Sequence, residues 1–573
     1  MKNLLIYMKR YRVEAVLGPL FKLTEALFEL FVPLVVADII DKGIQNGDKS
    51  YIISRSILMA VLGLIGFICA LVAQFFAAKA SVGFASDLRL AIYKKVSSLT
   101  FTDLDSIGTS TLITRMTGDV NQVQTGVNLT LRLLLRSPFI VFGAMIMAFT
   151  VDVKSALIFA VSIPVLAVIV AVIMAVTVPL YKRIQQKLDK VTLNTRENLK
   201  GVRVIRAFRQ EEKEIQDFNN NNNQLTSLQR LVGRISALMN PLTYVVVNLA
   251  VIAIIYIGGQ RVYDGELSQG QIVALYNYMS QILVELIKLA NMIMTLNKAL
   301  ASGSRISNIL TVENFKENKT HRNYKPDKNA TVEFLNVSFK YNCAGADSLT
   351  DISFKAYNGE KIGIIGATGS GKSTLVNLIP HFYGATDGVV LVNGQDVKTY
   401  DKNELRNTVS TVLQKSALFK GTIRENLLLG GKTATDNELW LALKAAQAEE
   451  TVIGKGGLDA LIEQNGRNLS GGQKQRLCIA RALVGNPSVL ILDDSASALD
   501  FKTEANLRKA ISELPQKPTV FIVSQRVSSV INADKIIVMD DGKTVGIGTH
   551  KELYENCEIY ADICRTQLEK EEL

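Results

Sequence analysis

A glycine-rich loop ending in lysine and serine is the first feature of this chain with evident chemistry. The sequence GATGSGKS fills residues 366–373, between the strand-like KIGII and the helix-like STLVNLI. Glycines let backbone N–H groups close around phosphate oxygens, and the positive end of the following helix dipole strengthens that attraction. Lys372 can reach β- and γ-phosphates, and Ser373 can ligate Mg²⁺. The predicted binding residues are Gly366, Ala367, Thr368, Gly369, Ser370, Gly371, Lys372, Ser373 and Thr374. The spacing therefore predicts a P-loop that binds a nucleoside triphosphate.

Two further motifs lie downstream of this loop. The segment VLILDD (489–494) is an apolar strand ending in Asp493, which is predicted as the second anchor of the magnesium shell. The segment LSGGQKQR (469–476) precedes the helix-like LCIARALV. A serine hydroxyl and backbone amides at a helix start can hold a γ-phosphate, although such a segment could also be an ordinary polar N-cap. Its place between a P-loop and an aspartate-terminated strand favours phosphate binding by Ser470, Gly471, Gly472 and Gln473.

The chain that carries these motifs has two halves of different composition. Of its 573 residues 48% are hydrophobic, and the long apolar runs lie in the first half. A helix needs about 20 apolar residues to cross a bilayer. Six stretches qualify: 14–40, 54–80, 134–151, 154–180, 241–263 and 271–299. The first contains Lys22, Glu25 and Glu29, and the last contains Glu285 and Lys288. Such charges face a cavity or a partner helix, or the lysines snorkel or pair with a neighbouring carboxylate.

The charge distribution predicts how these helices are oriented. The net charge is +11, and much of the surplus lies in the long connections 81–133 and 181–240. The short connections 41–50, 151–153 and 260–269 carry little net charge. The positive-inside rule then places the long connections and both termini in the cytosol, so the surplus requires no nucleic-acid partner. The sequence predicts a multi-pass protein of the plasma membrane, in contact with membrane lipids, whose helices continue into the cytosol.

The predicted domains are a transmembrane domain over 1–305, a polar linker over 306–330 and a nucleotide-binding domain over 331–573. The last has a β/α pattern, with a helix at 372–380 and strands near 389–392, 409–413, 488–492 and 518–523. The predicted fold class is an α-helical six-span domain with long cytosolic extensions, fused to an α/β P-loop NTPase domain. The five cysteines and three histidines have no metal-binding spacing, and a reduced setting without disulfides is expected.

Over almost its whole length the chain resembles an ATP-binding cassette (ABC) transporter of the exporter type, with six helices and one cassette. The resemblance implies that Tyr341 stacks on adenine and that Gln414, in STVLQKSALF, contacts Mg²⁺ and the attacking water. It implies that Asp500, in SALD, lies in a loop that crosses to a second cassette. It also implies that 101–106 and 207–212 are cytosolic turns that dock into cassettes. ATP and Mg²⁺ are the implied cofactors.

Two positions depart from the pattern of this family. The family has a glutamate after the magnesium-binding aspartate, where this chain has Asp494, and a histidine where this chain has Gln525, in TVFIVSQR. The shorter carboxylate misplaces the group that activates water, and glutamine cannot carry a proton as imidazole does. The sequence therefore predicts a degenerate ATP site.

An exporter of this kind places each ATP between the P-loop of one cassette and the LSGGQ of the other. An identical partner would give two weak sites, whereas a different partner with glutamate and histidine would gain one competent site. The prediction is therefore one subunit of a heterodimeric exporter, similar to bacterial multidrug-exporting pairs, with small-molecule or lipid-like cargo. The alternative is a nucleotide-gated regulator or sensor that binds ATP without transporting. An importer subunit is less compatible with the fused six-helix half.

Overall fold

The computed structural model describes residues 2–312, 327, 329–342, 344–497 and 499–567. These divide into two compact units, the first comprising Met1–Ser98 and Thr109–Val312, and the second comprising Leu99–Gly108 and Glu313–Leu573. The short segment Leu99–Gly108 thus groups with the cassette half of the chain. The predicted linker 306–330 lies mostly outside the described residues, and its first residues, 306–310, continue the last long helix.

The described residues of the first unit form helices joined by short turns. The unit begins with a 3-10 helix, Lys2–Tyr11, and π-helical turns lie at Ile39–Ile44 and Arg115–Asp119. The helices up to the end of this unit are α1 Arg12–Asp38, α2 Lys49–Ser98, α3 Phe101–Ile107 (of the second unit), α4 Thr109–Thr114, α5 Val120–Leu133, α6 Arg136–Val151, α7 Val153–Ala207, α8 Glu211–Ala237, α9 Met239–Tyr263 and α10 Gln269–Leu310. At 1.5 Å per residue α7 is about 80 Å long, so it far exceeds the ~30 Å hydrocarbon core of a bilayer.

Within the described residues five helical stretches are long and apolar enough to cross a membrane. They are Lys49–Ser98, Thr109–Val151, Val153–Ala207, Glu211–Tyr263 and Gln269–Leu310. Five of the six predicted spans lie inside these stretches. The predicted span 14–40 corresponds to α1, which forms a 27-residue helix but is not among the five. Lys22, Glu25 and Glu29 interrupt its apolar sequence, so the prediction of six spans is not established by length and apolarity alone.

The charges of α1 belong to a network centred on Arg136, at the start of α6. The Arg136 guanidinium donates to Glu285 of α10 at 2.6 Å and to Glu29 of α1 at 2.7 Å. Ser137 donates to the second oxygen of Glu285 at 2.7 Å, and Lys288 donates to Glu285 at 2.8 Å. Arg136 and Glu285 are both buried. The network therefore joins three helices through charges that compensate one another, and both lysines considered in the sequence pair with carboxylates, Lys22 with Glu25.

Replacing Arg136 by methionine is expected to destabilise the membrane unit. The change leaves Glu29 without this partner and buried Glu285 with only Lys288 and Ser137, and breaking a buried ion pair costs about 3–5 kcal/mol. Arg55→Met is the matched control, because Arg55 pairs with Asp38 at 3.7 Å on a more exposed surface, where a pair is worth about 0–1 kcal/mol. Thermal unfolding of the purified full chain should show a clearly larger drop for Arg136→Met. Equal drops would contradict the role assigned to the network.

The second unit contains two main sheets. Its strands are β1 Ala330–Phe339, β2 Leu349–Tyr357, β3 Lys361–Ile365, β4 Asp387–Val392, β5 Gln395–Asp396, β6 Val409–Val412, β7 Gly421–Thr422, β8 Leu461–Ile462, β9 Val489–Asp493, β10 Thr519–Val523, β11 Lys535–Asp540 and β12 Lys543–Gly548. An antiparallel sheet has the order β2-β1-β4-β5, and a six-stranded sheet has the order β12-β11-β3-β10-β9-β6, while β7 and β8 form a short pair. In the six-stranded sheet β11, β3, β10, β9 and β6 run parallel.

Helices cover these sheets. They are α11 Lys372–Leu378, α12 Lys402–Thr408, α13 Ile423–Leu427, α14 Asp436–Ala445, α15 Glu449–Gly454, α16 Gly471–Val484, α17 Phe501–Ser512, α18 Val527–Val530, α19 His550–Asn556 and α20 Glu558–Gln567. One core lies where β1, β2, β3 and α11 meet, and another packs α14 and α16 against β9. The predicted α/β P-loop fold is confirmed in its central strands, which places their carboxyl ends along one edge.

Candidate functional site

The P-loop and three of the predicted catalytic and metal-binding residues lie along one edge of the six-stranded sheet. The P-loop follows β3, Gln525 follows β10, Asp493 ends β9 and Gln414 follows β6. These four strands are consecutive neighbours and parallel, so their carboxyl ends open at the same edge. Ligands of open parallel sheets bind at that edge. Strand topology thus assembles in one place residues that are far apart in the sequence.

The P-loop is closed around the amino group of Lys372. This buried nitrogen donates to the carbonyl oxygens of Gly366 at 2.9 Å and Ala367 at 2.6 Å, and to the Ser370 hydroxyl at 3.3 Å. Burial lowers the pKa of Lys372, because desolvation disfavours the ammonium form. An anion bound in the loop would favour the charged form and take over these hydrogen bonds. The α11 helix begins immediately after Gly371, whose φ of +97° lies in the region that favours glycine.

The first glycine of the loop is fixed by its neighbours. A methyl group on Gly366 would lie 2.1 Å from the backbone oxygen of Met539, on the adjacent strand β11. A methyl group on Gly369 would meet nothing within 4 Å, although φ there is +87°.

We therefore expect Gly366→Ala to destabilise the nucleotide-free chain more than Gly369→Ala. The second change costs about 1–2 kcal/mol of backbone strain. The first adds the overpacking of a fixed backbone, about 1–3 kcal/mol more. Thermal unfolding of the purified chain without nucleotide measures the difference between the two matched variants. Equal losses would mean that the contact with Met539 does not constrain the loop.

Two oxygen groups that could ligate a hard cation lie next to each other beside the P-loop. The Ser373 hydroxyl donates to Asp493 at 2.9 Å, and Asp493 is buried at the end of β9. Burial raises the pKa of the Asp493 carboxyl, and the neighbouring charge of Asp494 acts in the same direction. A hydroxyl and a carboxylate suit Mg²⁺, which is held by few protein ligands together with phosphate oxygens and water. No group of three or more His, Cys, Asp or Glu side chains suited to a metal occurs among the described residues.

Asp494 and Gln525, the two residues that differ from the family pattern, also lie at this site. The Gln414 amide donates to Asp494 at 3.4 Å, and the Thr368 hydroxyl of the P-loop donates to the side-chain oxygen of Gln525 at 3.4 Å. Asp494 has a φ of +46°, a left-handed conformation that aspartate tolerates better than most residues. Its backbone N–H donates to Val523 of β10 at 3.0 Å. The structure therefore brings Asp494, which follows β9, and Gln525, which follows β10, to the P-loop edge.

An aromatic residue stands beside the end of the loop. The Tyr341 hydroxyl lies 3.1 Å from the Thr374 hydroxyl, and its ring contacts Phe339 edge-on at a centroid distance of 4.7 Å. The ring of Tyr341 is only partly buried. Tyr341 is thus close enough to the P-loop for one nucleotide to stack its base on the Tyr341 ring and place its phosphates in the loop.

The LSGGQ segment forms the start of α16. The Ser470 hydroxyl accepts from the Gln473 backbone N–H at 3.3 Å, and the Gln473 side chain accepts from the Ser470 N–H at 2.9 Å. This reciprocal pair is a capping box, and it is the N-cap interpretation left open by the sequence. Ser470 is exposed, so the cap does not hide its hydroxyl. Asp500 caps α17 by accepting from the Thr503 backbone N–H at 3.1 Å. Hydrogen bonds from the Thr503 side chain and backbone lower the pKa of Asp500.

Two contacts of this site escaped sequence reasoning. The Gln567 side chain, in the last described helix, donates to the Gln525 carbonyl at 2.8 Å and accepts from the Val527 N–H at 2.9 Å. Tyr383, shortly after α11, donates to Asp105 at 2.6 Å. Neither pair has a spacing or composition signal, because long stretches of chain separate the partners.

Comparison with known proteins gives the same class of protein as the geometry. A family model described as the ABC transporter transmembrane region matches residues 16–286, and one described as ABC transporter matches 349–497. An uncharacterised ABC transporter ATP-binding protein of Mycobacterium tuberculosis is 35% identical over 567 residues, covering 98% of this chain and 97% of that protein. The uncharacterised ABC transporter ATP-binding protein YfiB of Bacillus subtilis is 34% identical over 572 residues, covering 100% and 99%.

Two other comparisons concern the direction of transport and the fold. The putative multidrug export ATP-binding/permease protein YgaD of Bacillus subtilis is 32% identical over 566 residues, covering 97% of both chains. The solved structure of a bacterial Atm1-family ABC exporter with ATP bound has a TM-score of 0.80 at 21% identity, covering 98% of this chain and 99% of that one. At that identity the likeness concerns the fold alone.

Membrane-spanning helices fused to a P-loop cassette with an LSGGQ segment define a transporter driven by ATP. The chain belongs to the ABC transporter family. It is a membrane protein and an ATP-driven exporter, with one transmembrane region and one ATPase domain that binds ATP.

Proposed function

We propose that this chain is the degenerate-site subunit of a heterodimeric ABC exporter. It holds MgATP at its own P-loop but cleaves it slowly, and its LSGGQ segment completes the competent site of a different partner. The observation that carries the proposal is Asp494 together with Gln525 at the edge of an otherwise complete P-loop site.

The chemistry at these two positions supports slow cleavage. Asp494 is one methylene shorter than glutamate, and a misplacement of about 1 Å can cost about 10²-fold in rate. Loss of a general base costs about 10²–10⁴-fold. The contact between Gln414 and Asp494 holds this short carboxylate in the site, but a hydrogen bond does not lengthen its reach. Gln525 can donate to a phosphate oxygen but has no titratable proton near pH 7.

The binding functions are assigned to the residues around this pair. Lys372 and the loop amides would hold the β- and γ-phosphates, Ser373 and Asp493 would hold Mg²⁺, and Tyr341 would stack on adenine. Gln414 would contact the metal and the attacking water. When bound, Mg²⁺ neutralises the developing phosphate charge.

Ser470–Gln473 and Asp500 would serve the partner rather than this chain's own ATP. Ser470 and Asp500 are exposed, and each lies at the N-terminus of a helix, where N–H groups and the helix dipole favour phosphate. A partner with glutamate and histidine at the two departing positions would then form one competent site with this segment. An identical partner would form two weak ones.

For the membrane half we propose six spans, with α1 as the first. Its charges do not oppose insertion when they are paired, and Glu29 and Glu25 face Arg136 while Lys22 faces Glu25. The basic long connections support a cytosolic cassette and cytosolic termini in the plasma membrane. The similarity to the putative multidrug export ATP-binding/permease protein YgaD supports apolar or cationic drugs as cargo, and lipids are the second cargo class of this proposal.

The experiment that tests this function compares the purified chain with the same chain copurified with its partner. Alone, the chain should bind MgATP but hydrolyse it about 10²-fold more slowly than the pair in proteoliposomes. Cargo should stimulate hydrolysis by the pair and accumulate inside inverted vesicles. Fast hydrolysis by the chain alone would contradict the degenerate site. ATP binding without cargo-stimulated hydrolysis or transport by the pair would favour the regulator instead.

A further inference from the structure

A series of aromatic contacts links Tyr341, which is proposed to stack on adenine, to the segment Leu99–Gly108, called here the docking segment. The Tyr341 ring contacts the Tyr383 ring at 5.3 Å between centroids, with the planes 80° apart. The Tyr383 ring contacts Phe101 of the docking segment at 6.2 Å, and Phe101 also contacts Phe382 at 4.7 Å. All of these residues belong to the same compact unit.

Local hydrogen bonds hold the start of the helix in the docking segment. Thr100 caps α3 by accepting from Asp103 at 3.2 Å, and the Asp103 carboxylate accepts from the Thr100 N–H at 3.3 Å. This capping box fixes the start of the helix and therefore the direction of Phe101, its first residue. Asp105, one turn further, then accepts the hydroxyl of Tyr383 at 2.6 Å.

Tyr383 lies between Tyr341 and the docking segment, and both its ring and its hydroxyl make contacts. Its ring is held between Tyr341 and Phe101, and it also contacts Phe339, which packs on Tyr341 at 4.7 Å. Its hydroxyl is held by Asp105 through a charge-assisted hydrogen bond. A shift of the Tyr341 ring therefore reaches the docking segment through a single residue, and a shift of the docking segment reaches Tyr341 by the same route.

We infer that Tyr383 is a positioning residue that couples adenine stacking on Tyr341 to the docking segment. The inference rests on the proposed function, and it gives the slowly cleaving site a use. An ATP that stays bound holds Tyr341 in place and stabilises the docked segment. Because coupling between two sites is reciprocal, the docked segment raises ATP affinity by the same factor.

The test uses hydrogen exchange of the purified full chain in detergent. The backbone amides of the docking segment are compared without ligand, with MgATP and with magnesium triphosphate, which has phosphates but no adenine. MgATP should slow exchange there about fivefold more than triphosphate, a modest coupling for two linked sites. Equal protection by the two ligands would mean that the phosphates alone stabilise the segment, and would overturn the inference.

Variants separate the ring of Tyr383 from its hydroxyl. Tyr383→Ala and Tyr341→Ala should each abolish the protection by MgATP, whereas Tyr383→Phe should retain part of it, since the ring contacts remain. Tyr400→Phe is the matched control, because Tyr400 packs against the same cassette core outside this aromatic chain. It should behave as the native chain. Full protection in Tyr383→Ala, or loss in Tyr400→Phe equal to that in Tyr383→Phe, would also overturn the assignment.

The same samples distinguish this inference from the proposed function. Displacement of a fluorescent ATP analogue by ATP reports binding at the P-loop independently of exchange. Tight ATP binding without adenine-dependent protection removes the inference and leaves the proposed function intact. Absence of ATP binding to the native chain removes both.

Discussion

In the purified pair, Ser470→Ala in this chain should lower the maximal ATPase rate about 10²-fold, whereas Asp494→Asn should change it less than about threefold. Removing one donor that stabilises a transferring phosphate costs about 10²–10³-fold. Ser470 is exposed at the start of α16 and is assigned to ATP bound by the partner. Asp494 serves a site that is already slow. The steady-state rate of the reconstituted pair, at saturating ATP and cargo, measures both effects.

The control for Ser470→Ala must remove a helix cap without removing a phosphate donor. Thr435 provides it, because it caps α14 with Glu438 in the same kind of capping box and is also exposed. Losing either cap costs about 1 kcal/mol of stability. Thr435→Ala should therefore lower stability as Ser470→Ala does but leave the ATPase rate nearly unchanged. Equal rate losses from Ser470→Ala and Asp494→Asn would contradict the asymmetric arrangement.

The double change Asp494→Glu with Gln525→His should raise ATP cleavage at this chain's own P-loop about 10²-fold. Glutamate restores the reach of the carboxylate and histidine restores a group that can carry a proton. The gain is limited by the φ of +46° at residue 494, which suits aspartate better than glutamate and costs about 1 kcal/mol. Single-turnover cleavage is measured in the pair, with the partner's catalytic glutamate replaced by glutamine so that only this site can fire.

The control for this gain is the same double change combined with Lys372→Ala. Lys372 is the buried ammonium of the P-loop, and without it cleavage at this site should not rise. If the double change alone gives no gain, Asp494 and Gln525 do not limit cleavage at this site. The partner's LSGGQ segment or the geometry of the site is then what limits it.

Sequence patterns predicted the parts of the site that follow from local order along the chain. The P-loop could be placed because a strand, a glycine loop and a helix follow one another directly, and Asp493 because it ends an apolar strand. The parallel order β3-β10-β9-β6 then explains why these segments meet at one edge. The structure also shows Ser470 as an N-cap, the alternative that the sequence left open. This is compatible with phosphate binding because Ser470 is exposed.

The remainder depended on contacts between distant residues. Tyr383 meets Asp105 across 278 positions, and Arg136 meets Glu285 across 149 positions. No periodicity relates such residues, so their pairing appears only once the chain is folded. The charges on α1 illustrate the same limit. The hydropathy of a segment falls with each charged residue it contains, and it carries no information on whether a partner on α6 compensates that charge.

The central claim is that this chain's own site holds ATP and cleaves it much more slowly than the exporter turns over. The most direct measurement is the state of the nucleotide bound at this P-loop, identified after photo-crosslinking of labelled azido-ATP to the working pair and recovery of this chain alone. The account predicts that the crosslinked nucleotide remains triphosphate after many turnovers. Diphosphate at this chain's P-loop, accumulating at the rate of steady-state hydrolysis, would contradict it.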